Sequence, residues 1–227
     1  MAIKFTYVGH ATYFLDIGDK RVLIDPFFTN NPTTDISPDD VSADFILVSH
    51  GHFDHIGDTV PIAKRTGAKV IANAEISGWL GNQGVENVHG QHLGGGFNHD
   101  FGHLKLTIAH HGSGLPDGSY GGNPAGLLIT TEGKKLYFAC DTALFLDMQL
   151  YGEEGIDLFV PPIGDNFTMG PDDALRAVKL VKPKLAVPCH YNTWPPIAQD
   201  GDAWAKRVEA ETDTKVHVLS AGDTLDL

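Results

Sequence analysis

Short apolar runs, rich in β-branched and aromatic residues, recur along the whole chain between groups of turn residues. Runs of this kind, about four to eight residues long, are typical of strands in a buried sheet. The segments that fit are IKFTYV, TYFLDI, RVLID, DFILVS, AKVIA, LKLTIA, GLLIT, KLYFA, DLFVP, KLAVP and KVHVLS. So many strands with helices between them predict a mixed α/β architecture with more than one sheet.

Three segments instead show helical periodicity. The clearest is GPDDALRAVKLV, which has Pro171 near its first turn, acidic residues directly after it, and Ala174, Leu175, Val178 and Val181 on one face. DTVPIAKRTG and DGDAWAKRVEAE follow the same pattern more weakly. We therefore predict helices at these three places.

Two glycine-rich patches, GGGF at 94–97 and GSYGGN at 118–123, predict long flexible loops. A phosphate-binding loop is the functional alternative, but neither patch has the Lys-Ser/Thr ending or the following helix that such a loop requires. The chain has 227 residues and no low-complexity linker. We therefore expect a single domain over residues 1–227.

The charge balance and the cysteine content limit the function classes. The formal net charge of −13 argues against a nucleic-acid partner, since phosphate contacts need clustered Lys and Arg. No apolar stretch is long enough to cross a membrane, and the N-terminal segment has no long apolar core of a signal peptide. With only Cys140 and Cys189, a disulfide framework is not expected. We expect a cytoplasmic protein that acts on a small molecule.

Potential metal ligands gather just after the predicted strands. The segment SHGHFDHIGD follows DFILV and carries His50, His52, Asp54 and His55. Since sites in α/β folds form at the carboxyl ends of strands, these positions predict one rim built from several loops. Further polar residues after strands are His10, His110, His111, Asp141, Asp165, Asn166 and His190.

The spacing H-x-H-x-D-H suits two neighbouring points in space. In an extended segment, His50, His52 and Asp54 lie on one side, whereas a helix would fan them apart. His55 then points elsewhere, which favours two metal ions over one. The alternative is a solvated polar loop with incidental histidines, and the ligand-type residues after the other strands argue against it.

The order of the sequence blocks is similar to that of a known family. GHATY, IDPFFTNNPTT, SHGHFDHIGDT, AHHGS, DTALFLDM, PIGDNFTMGPDDA and VPCHYNTWP cover nearly the whole chain. They resemble the metallo-β-lactamase superfamily, and within it the metal-dependent hydrolases related to the ascorbate-phosphate lactonases. The resemblance implies a four-layer αββα sandwich with two internally similar halves and a dinuclear metal site at the edge of the sheets.

The resemblance also implies a role for each residue that matches the family's motifs. His50, His52 and His111 would hold the first metal ion, Asp54, His55 and His190 the second, and Asp141 would bridge them. The residues expected to line the pocket without binding metal are His10, His110, Asp165 and Asn166.

Two cysteines depart from the family pattern. Cys140 stands where the family usually has Gly before Asp-Thr, and Cys189 directly precedes His190. Cysteine can bind zinc. Neighbouring side chains on a strand, however, point to opposite faces. If Asp141 and His190 face the metals, both cysteines are expected in the core.

Metal chemistry then supplies a mechanism. Two ions roughly 3.5–4 Å apart can share a hydroxide, because a bound metal lowers the pKa of water from about 15.7 toward about 7. This hydroxide would attack a small ester, lactone or phosphoester, and Asp54 could accept the proton of the bridging water. Ligation by histidine with some carboxylate favours Zn or Mn, and Fe, Co or Ni also fit.

Three other functions are compatible with the scaffold. Flavodiiron redox proteins usually have a carboxylate at the position of His52 and need a flavin domain. Nucleases of the superfamily usually add a domain or exosite, for which an acidic chain of 227 residues leaves little room. A non-catalytic metal-binding protein is the remaining alternative, and the complete ligand set argues against it.

Overall fold

Two seven-stranded sheets face each other in the computed structural model of the chain, which describes residues 3–227. The first sheet has the order β14-β1-β2-β3-β4-β5-β6. Its strands are β1 (Ile3–Gly9), β2 (Thr12–Ile17), β3 (Lys20–Ile24), β4 (Phe45–Leu47), β5 (Lys69–Asn73), β6 (Val88–Gln91) and β14 (Thr224–Asp226). The last strand therefore returns to the sheet in which the chain begins.

The second sheet has the order β13-β12-β11-β10-β9-β8-β7. Its strands are β7 (Gly96–His99), β8 (Gly102–Ile108), β9 (Ala125–Thr131), β10 (Lys134–Phe138), β11 (Leu158–Val160), β12 (Leu185–Ala186) and β13 (Lys215–Val216). The predicted runs coincide with strands of the two sheets, although several of these strands are shorter than the runs.

Helices cover the outer face of each sheet. Those on the first sheet are α1 (Phe53–Ile56), α2 (Thr59–Thr66) and α3 (Ala74–Asn82). Those on the second sheet are α4 (Met148–Gly152), α5 (Pro171–Val181) and α6 (Gly201–Glu211). The three predicted helices correspond to α2, α5 and α6. Within residues 3–227, no helix combines the length and the apolarity needed to cross a membrane.

The alternation of side chains along the strands builds three apolar layers. In β10, Leu136 and Phe138 point between the sheets, while Tyr137 packs against the helices of the second sheet. The ring of Phe138 stacks on Phe5 of β1, with ring centroids 6.2 Å apart. Leu23 of β3 packs outward against α2 and α3. These layers make the αββα sandwich, whose halves each contain seven strands and three helices, so the predicted fold class is confirmed.

Strand direction brings the carboxyl ends together. In the first sheet β1 and β3 are each antiparallel to β2, and β4 is parallel to β3. In the second sheet β8 and β10 are each antiparallel to β9, and β11 and β12 continue parallel to β10. The loops that follow these strands therefore leave at one edge of each sheet.

One prediction about the glycine-rich patches is wrong. GGGF at 94–97 was expected to be a flexible loop, but Gly96 and Phe97 belong to β7, in which Phe97 pairs with Leu104 of β8. An edge strand can form with little hydrophobic alternation, because backbone hydrogen bonds to one neighbour suffice to define it. The second patch, at 118–123, contains neither helix nor strand.

Candidate metal centre

Strained turns follow the strands that supply the site. His10 (φ 55°), Asp25 (φ 46°), Cys140 (φ 54°) and His190 (φ 53°) all have left-handed backbone conformations although none is glycine. Such conformations cost on the order of 1–3 kcal/mol each and persist only where the surrounding structure enforces them. The amide of His190 donates to the carbonyl of His10 at 2.8 Å, which joins the loops of the two sheets. The turns thus aim polar side chains into the gap between the loops.

Three imidazoles converge at one side of this gap. The Nε2 atom of His50 lies 3.1 Å from Nδ1 of His52, and Nε2 of His111 lies 3.2 Å from the same Nδ1. We call His50, His52 and His111 the histidine triad. Burial lowers the pKa of all three, so their ring nitrogens are neutral at pH 7. A neutral imidazole is the form that binds a metal ion.

A second group lies next to the triad. Asp54 Oδ2 is 3.1 Å from Nε2 of His10, 3.8 Å from Nε2 of His55 and 3.7 Å from Nε2 of His190. We call His10, Asp54, His55 and His190 the mixed group. Their ligand atoms lie within 4.8 Å of one another, as do those of the triad. Each group could hold a metal ion.

Asp141 stands between the two groups. Its Oδ2 atom lies 3.0 Å from Nε2 of His190, 3.4 Å from Nε2 of His55 and 3.5 Å from Nε2 of His111. The first two nitrogens belong to the mixed group and the third to the triad. One carboxylate oxygen therefore contacts ligand atoms on both sides.

Several of these atoms are buried without a hydrogen-bond partner. They are His55 Nε2, His190 Nε2 and Asp141 Oδ1. Native proteins leave few buried polar groups unsatisfied, and an ion is one of the explanations for such groups. Since the orphaned atoms are imidazole nitrogens and a carboxylate oxygen that converge on one place, the residues present fit divalent metal ions.

The charges in the mixed group stabilise one another. Burial alone would lower the pKa of His55 and His190, but the adjacent carboxylates of Asp141 and Asp54 raise the pKa of His190 to about 9 and that of His55 well above its usual value. Burial would likewise raise the pKa of Asp54 and Asp141, but the surrounding histidines lower it. Without metal, protons on His55 and His190 balance the two carboxylates.

Comparison with known proteins shows the family to which the chain belongs. Residues 20–191 match the family model of the beta-lactamase superfamily domain. A UPF0173 metal-dependent hydrolase of Shouchella clausii is 50% identical, over 99% of this chain and 100% of the relative. This chain belongs to the UPF0173 metal-dependent hydrolases of the beta-lactamase superfamily.

Further relatives agree with this assignment. The hydrolase is 48% identical to the UPF0173 protein of Bacillus subtilis, over 99% of this chain and 100% of the relative. It is also similar to the solved structure of a metallo hydrolase from Ignicoccus hospitalis, with a TM-score of 0.91, 34% identity, and coverage of 100% of this chain and 99% of that one. The predicted membership of the superfamily is confirmed.

Asp25 is a site residue that the sequence reasoning missed. Its Oδ2 atom accepts hydrogen bonds from His55 Nδ1 at 2.8 Å and from the hydroxyl of Ser49 at 2.5 Å. His50 Nδ1 in turn lies 2.9 Å from the Ser49 hydroxyl oxygen and donates to it. These bonds leave Nε2 of both histidines free to face a metal ion. Asp25 directly follows β3, so the rule applied to the other strand ends could have found it.

His10 of the hydrolase connects Asp54 to a second residue that was missed. Its Nδ1 lies 2.7 Å from the hydroxyl of Thr193, while its Nε2 lies 3.1 Å from Asp54. Burial and the neighbouring His190 lower the pKa of His10 to about 4, so the ring is neutral at pH 7. Because ionised Asp54 can only accept, Nε2 donates to it and Nδ1 accepts from Thr193. Thr193 lies in the block VPCHYNTWP, but the sequence predicted no role for it.

A cavity of about 500 Å³ opens at the site. It is lined by His52, Phe53, Asp54, His111, Asp141, Phe167, His190, Trp194 and Pro196. Asp165 and Asn166, which were expected to line the pocket, form a left-handed turn directly before Phe167. His110 lines a separate cavity of about 780 Å³, which also reaches His111.

Both cysteines of the hydrolase lie in the core between the sheets. Cys140 and Cys189 pack in the same apolar layer as Phe138, and burial raises the pKa of both thiols. Neither belongs to a group of residues that could hold a metal ion within the described part of the chain. The prediction that they are structural agrees with this placement.

Proposed function

We propose that this metal-dependent hydrolase uses a dinuclear site to cleave a small ester, lactone or phosphoester. The observation that carries the proposal is the position of Asp141. One of its carboxylate oxygens, Oδ2, lies within 3.5 Å of ring nitrogens of both the triad and the mixed group. His50, His52 and His111 would hold one ion, and Asp54, His55 and His190 the other. Zn or Mn suits this mixture of nitrogen and oxygen donors.

Three other side-chain roles are proposed: Asp54 would accept a proton, and His10 and Thr193 would position Asp54. When bound, two divalent ions supply a nucleophile from water at neutral pH and stabilise the negative oxygen that develops on the substrate. Asp54 lies at the cavity with its carboxylate ionised and would accept the proton. His10 would hold Asp54 through its Nε2 hydrogen, and Thr193 would fix the tautomer of His10.

The surface charge and the cysteines support a small substrate in a reducing compartment. A formal net charge of −13 disfavours nucleic acid, so we propose a small-molecule substrate and no membrane partner. Both cysteines are unpaired, which supports a cytoplasmic location.

Asp141→Asn tests the proposal. The asparagine keeps the shape but loses the charge and one of the two anionic oxygens, so the ion beside His55 and His190 should bind loosely. We expect hydrolysis of an activated ester or phosphodiester to fall by about 100-fold or more. Circular dichroism should show an intact fold, because Asp141 lies outside the apolar layers.

The exposed residue Asp39 provides a matched control. Asp39→Asn removes the same charge away from the candidate centre and should retain the parent rate. If Asp141→Asn hydrolyses the substrate at the parent rate with both metals bound, the bridging assignment is wrong. A stability change with an unchanged rate per folded molecule would mark Asp141 as purely structural.

A further inference from the structure

Aromatic side chains form the outer part of the cavity at the metal centre. Phe53 and Phe167 line it and remain 61% and 54% exposed, and Trp194 and Pro196 complete the same side. We call Phe53, Phe167 and Trp194 the aromatic wall. Large apolar side chains grouped at one side of a site are typical of pockets that bind apolar ligand groups.

The aromatic wall is held in place by its surroundings. Phe27, which is buried, contacts the rings of Phe53 and Trp194 at centroid distances of 5.9 Å and 6.0 Å. Phe167 follows Asp165 and Asn166, two successive residues with left-handed φ of 60° and 50°. Strain of this kind is concentrated where a backbone positions a functional side chain. The exposed rings are therefore placed over the cavity by the fold.

No Lys or Arg side chain lines this cavity within residues 3–227. Its lining side chains are three histidines that are candidate metal ligands, two aspartates and four apolar residues, so no further cationic side chain there would balance a charged substituent on a substrate. The neighbouring cavity differs, because Lys105 lines it. Burying a charge without a partner is unfavourable, and a net charge of −13 on the chain adds a repulsive field for anions.

We infer that the substrate is an uncharged ester or lactone whose aromatic or alkyl group packs against the aromatic wall. This inference rests on the proposed hydrolase function and specifies its substrate class. The cavity of about 500 Å³ limits the substrate to a small molecule. A substrate with a phosphate or carboxylate on the group that faces the aromatic wall would place that charge against apolar rings, which the inference excludes.

Two hydroxamic acids with the same metal-binding head test the inference. Hexanohydroxamic acid carries an alkyl tail, and the monohydroxamic acid of adipic acid carries a tail of the same length that ends in a carboxylate. Titration calorimetry on the metal-loaded protein should show at least tenfold tighter binding of the alkyl compound, since its tail buries apolar surface without removing a charge from water.

Substitutions in the aromatic wall test whether it causes the preference for the alkyl tail. Phe53→Ala and Phe167→Ala should each weaken binding of hexanohydroxamic acid about five- to tenfold and change binding of the adipic compound less than twofold. Both rings are exposed, so folding should survive. Phe97→Ala is the matched control, because Phe97 is 51% exposed on β7 and does not line the cavity. It should leave both affinities unchanged.

Equal affinities for the two compounds, tighter binding of the adipic compound or no binding of either would overturn the inference. A loss of adipic binding in Lys105→Met would do the same, because it would place an anionic tail in the neighbouring cavity. The measurement needs no turnover. If the tail preference appears but no ester, lactone or phosphoester is hydrolysed, the proposed function fails while the inferred ligand class stands.

Discussion

The two ring nitrogens of the site histidines have different tasks. In His50 and His55, Nδ1 donates to Ser49 and Asp25, which fixes the ring so that Nε2 points into the site. His190 is different, since both of its nitrogens are buried without a hydrogen-bond partner. Its orientation depends on its strained backbone and on the attraction of Asp141. The rings of His50 and His55 are therefore oriented by Ser49 and Asp25, which are not proposed as metal ligands, whereas His190 is oriented by the proposed ligand Asp141.

The adjacent histidines 110 and 111 should respond differently to substitution. His111 Nε2 lies near both His52 and Asp141, whereas His110 is exposed and packs its ring against Phe145. His111→Ala should therefore lose bound metal and activity together, and His110→Ala should retain most of its metal. Elemental analysis and a hydrolase assay on both variants make the comparison. The reverse pattern would show that His110, and not His111, belongs to the triad.

Metal binding should depend on pH unequally at the two groups. In metal-free protein His190 has a pKa raised to about 9 and stays protonated at pH 7, so an ion binding there must displace a proton. Affinity at the mixed group should rise with pH up to about 9. The triad histidines, with lowered pKa values, should release almost no protons at pH 7.

Calorimetry in buffers of different ionisation enthalpy counts the released protons for each ion. Equal proton release from both groups would contradict the assignment of charges to their histidines.

The raised pKa of His190 also affects the stability of the metal-free protein. Because the pKa of His190 is higher in the folded state, its stabilisation is complete below the unfolded value of about 6.5 and is lost as the pH rises through about 9.

Elements with strong local signals were predictable from sequence, and those without them were not. The helix α5 begins with Pro171 and has a regular apolar face, and it forms as predicted. The helix α3 was missed because Gly78 and Gly81 lower its helix propensity, although Asn73 caps it by accepting from the amide of Ile76 at 2.8 Å. The helix α4 has only five residues, too few for a periodic pattern.

Two glycines should respond oppositely to alanine. A Cβ atom at Gly164 would overlap the carbonyl oxygen of His190, so Gly164→Ala must displace the backbone that carries this ligand. We expect a loss of about 1–3 kcal/mol in the free energy of unfolding, together with weaker metal binding. Gly81 lies exposed in α3 with nothing near its Cβ position, so Gly81→Ala should stabilise by about 0.5–1 kcal/mol.

Thermal unfolding and metal titration of the two variants measure these effects. Unchanged metal affinity in Gly164→Ala would show that the loop after β11 does not position His190. A lower free energy of unfolding in Gly81→Ala would contradict the structure of α3.

The arrangement of strands in the two sheets decides which residues lie close together. The sequence showed that His50, His111 and Asp141 each follow a strand, and the resemblance to a known family assigned them to metals. Their distances depend on the pairing of strands, including strands far apart in the chain such as β1 and β14, which no local pattern encodes. The same holds for the cavity, since its lining residues come from five separate segments of the chain.

A dinuclear site requires that one chain bind two metal ions. Elemental analysis of protein that has been loaded with Zn or Mn and freed of excess metal measures this number. Since the triad and the set Asp54, His55 and His190 are separate groups of candidate ligands with Asp141 between them, we predict a saturating value of two ions per chain. A saturating value of one ion per chain would contradict the dinuclear site.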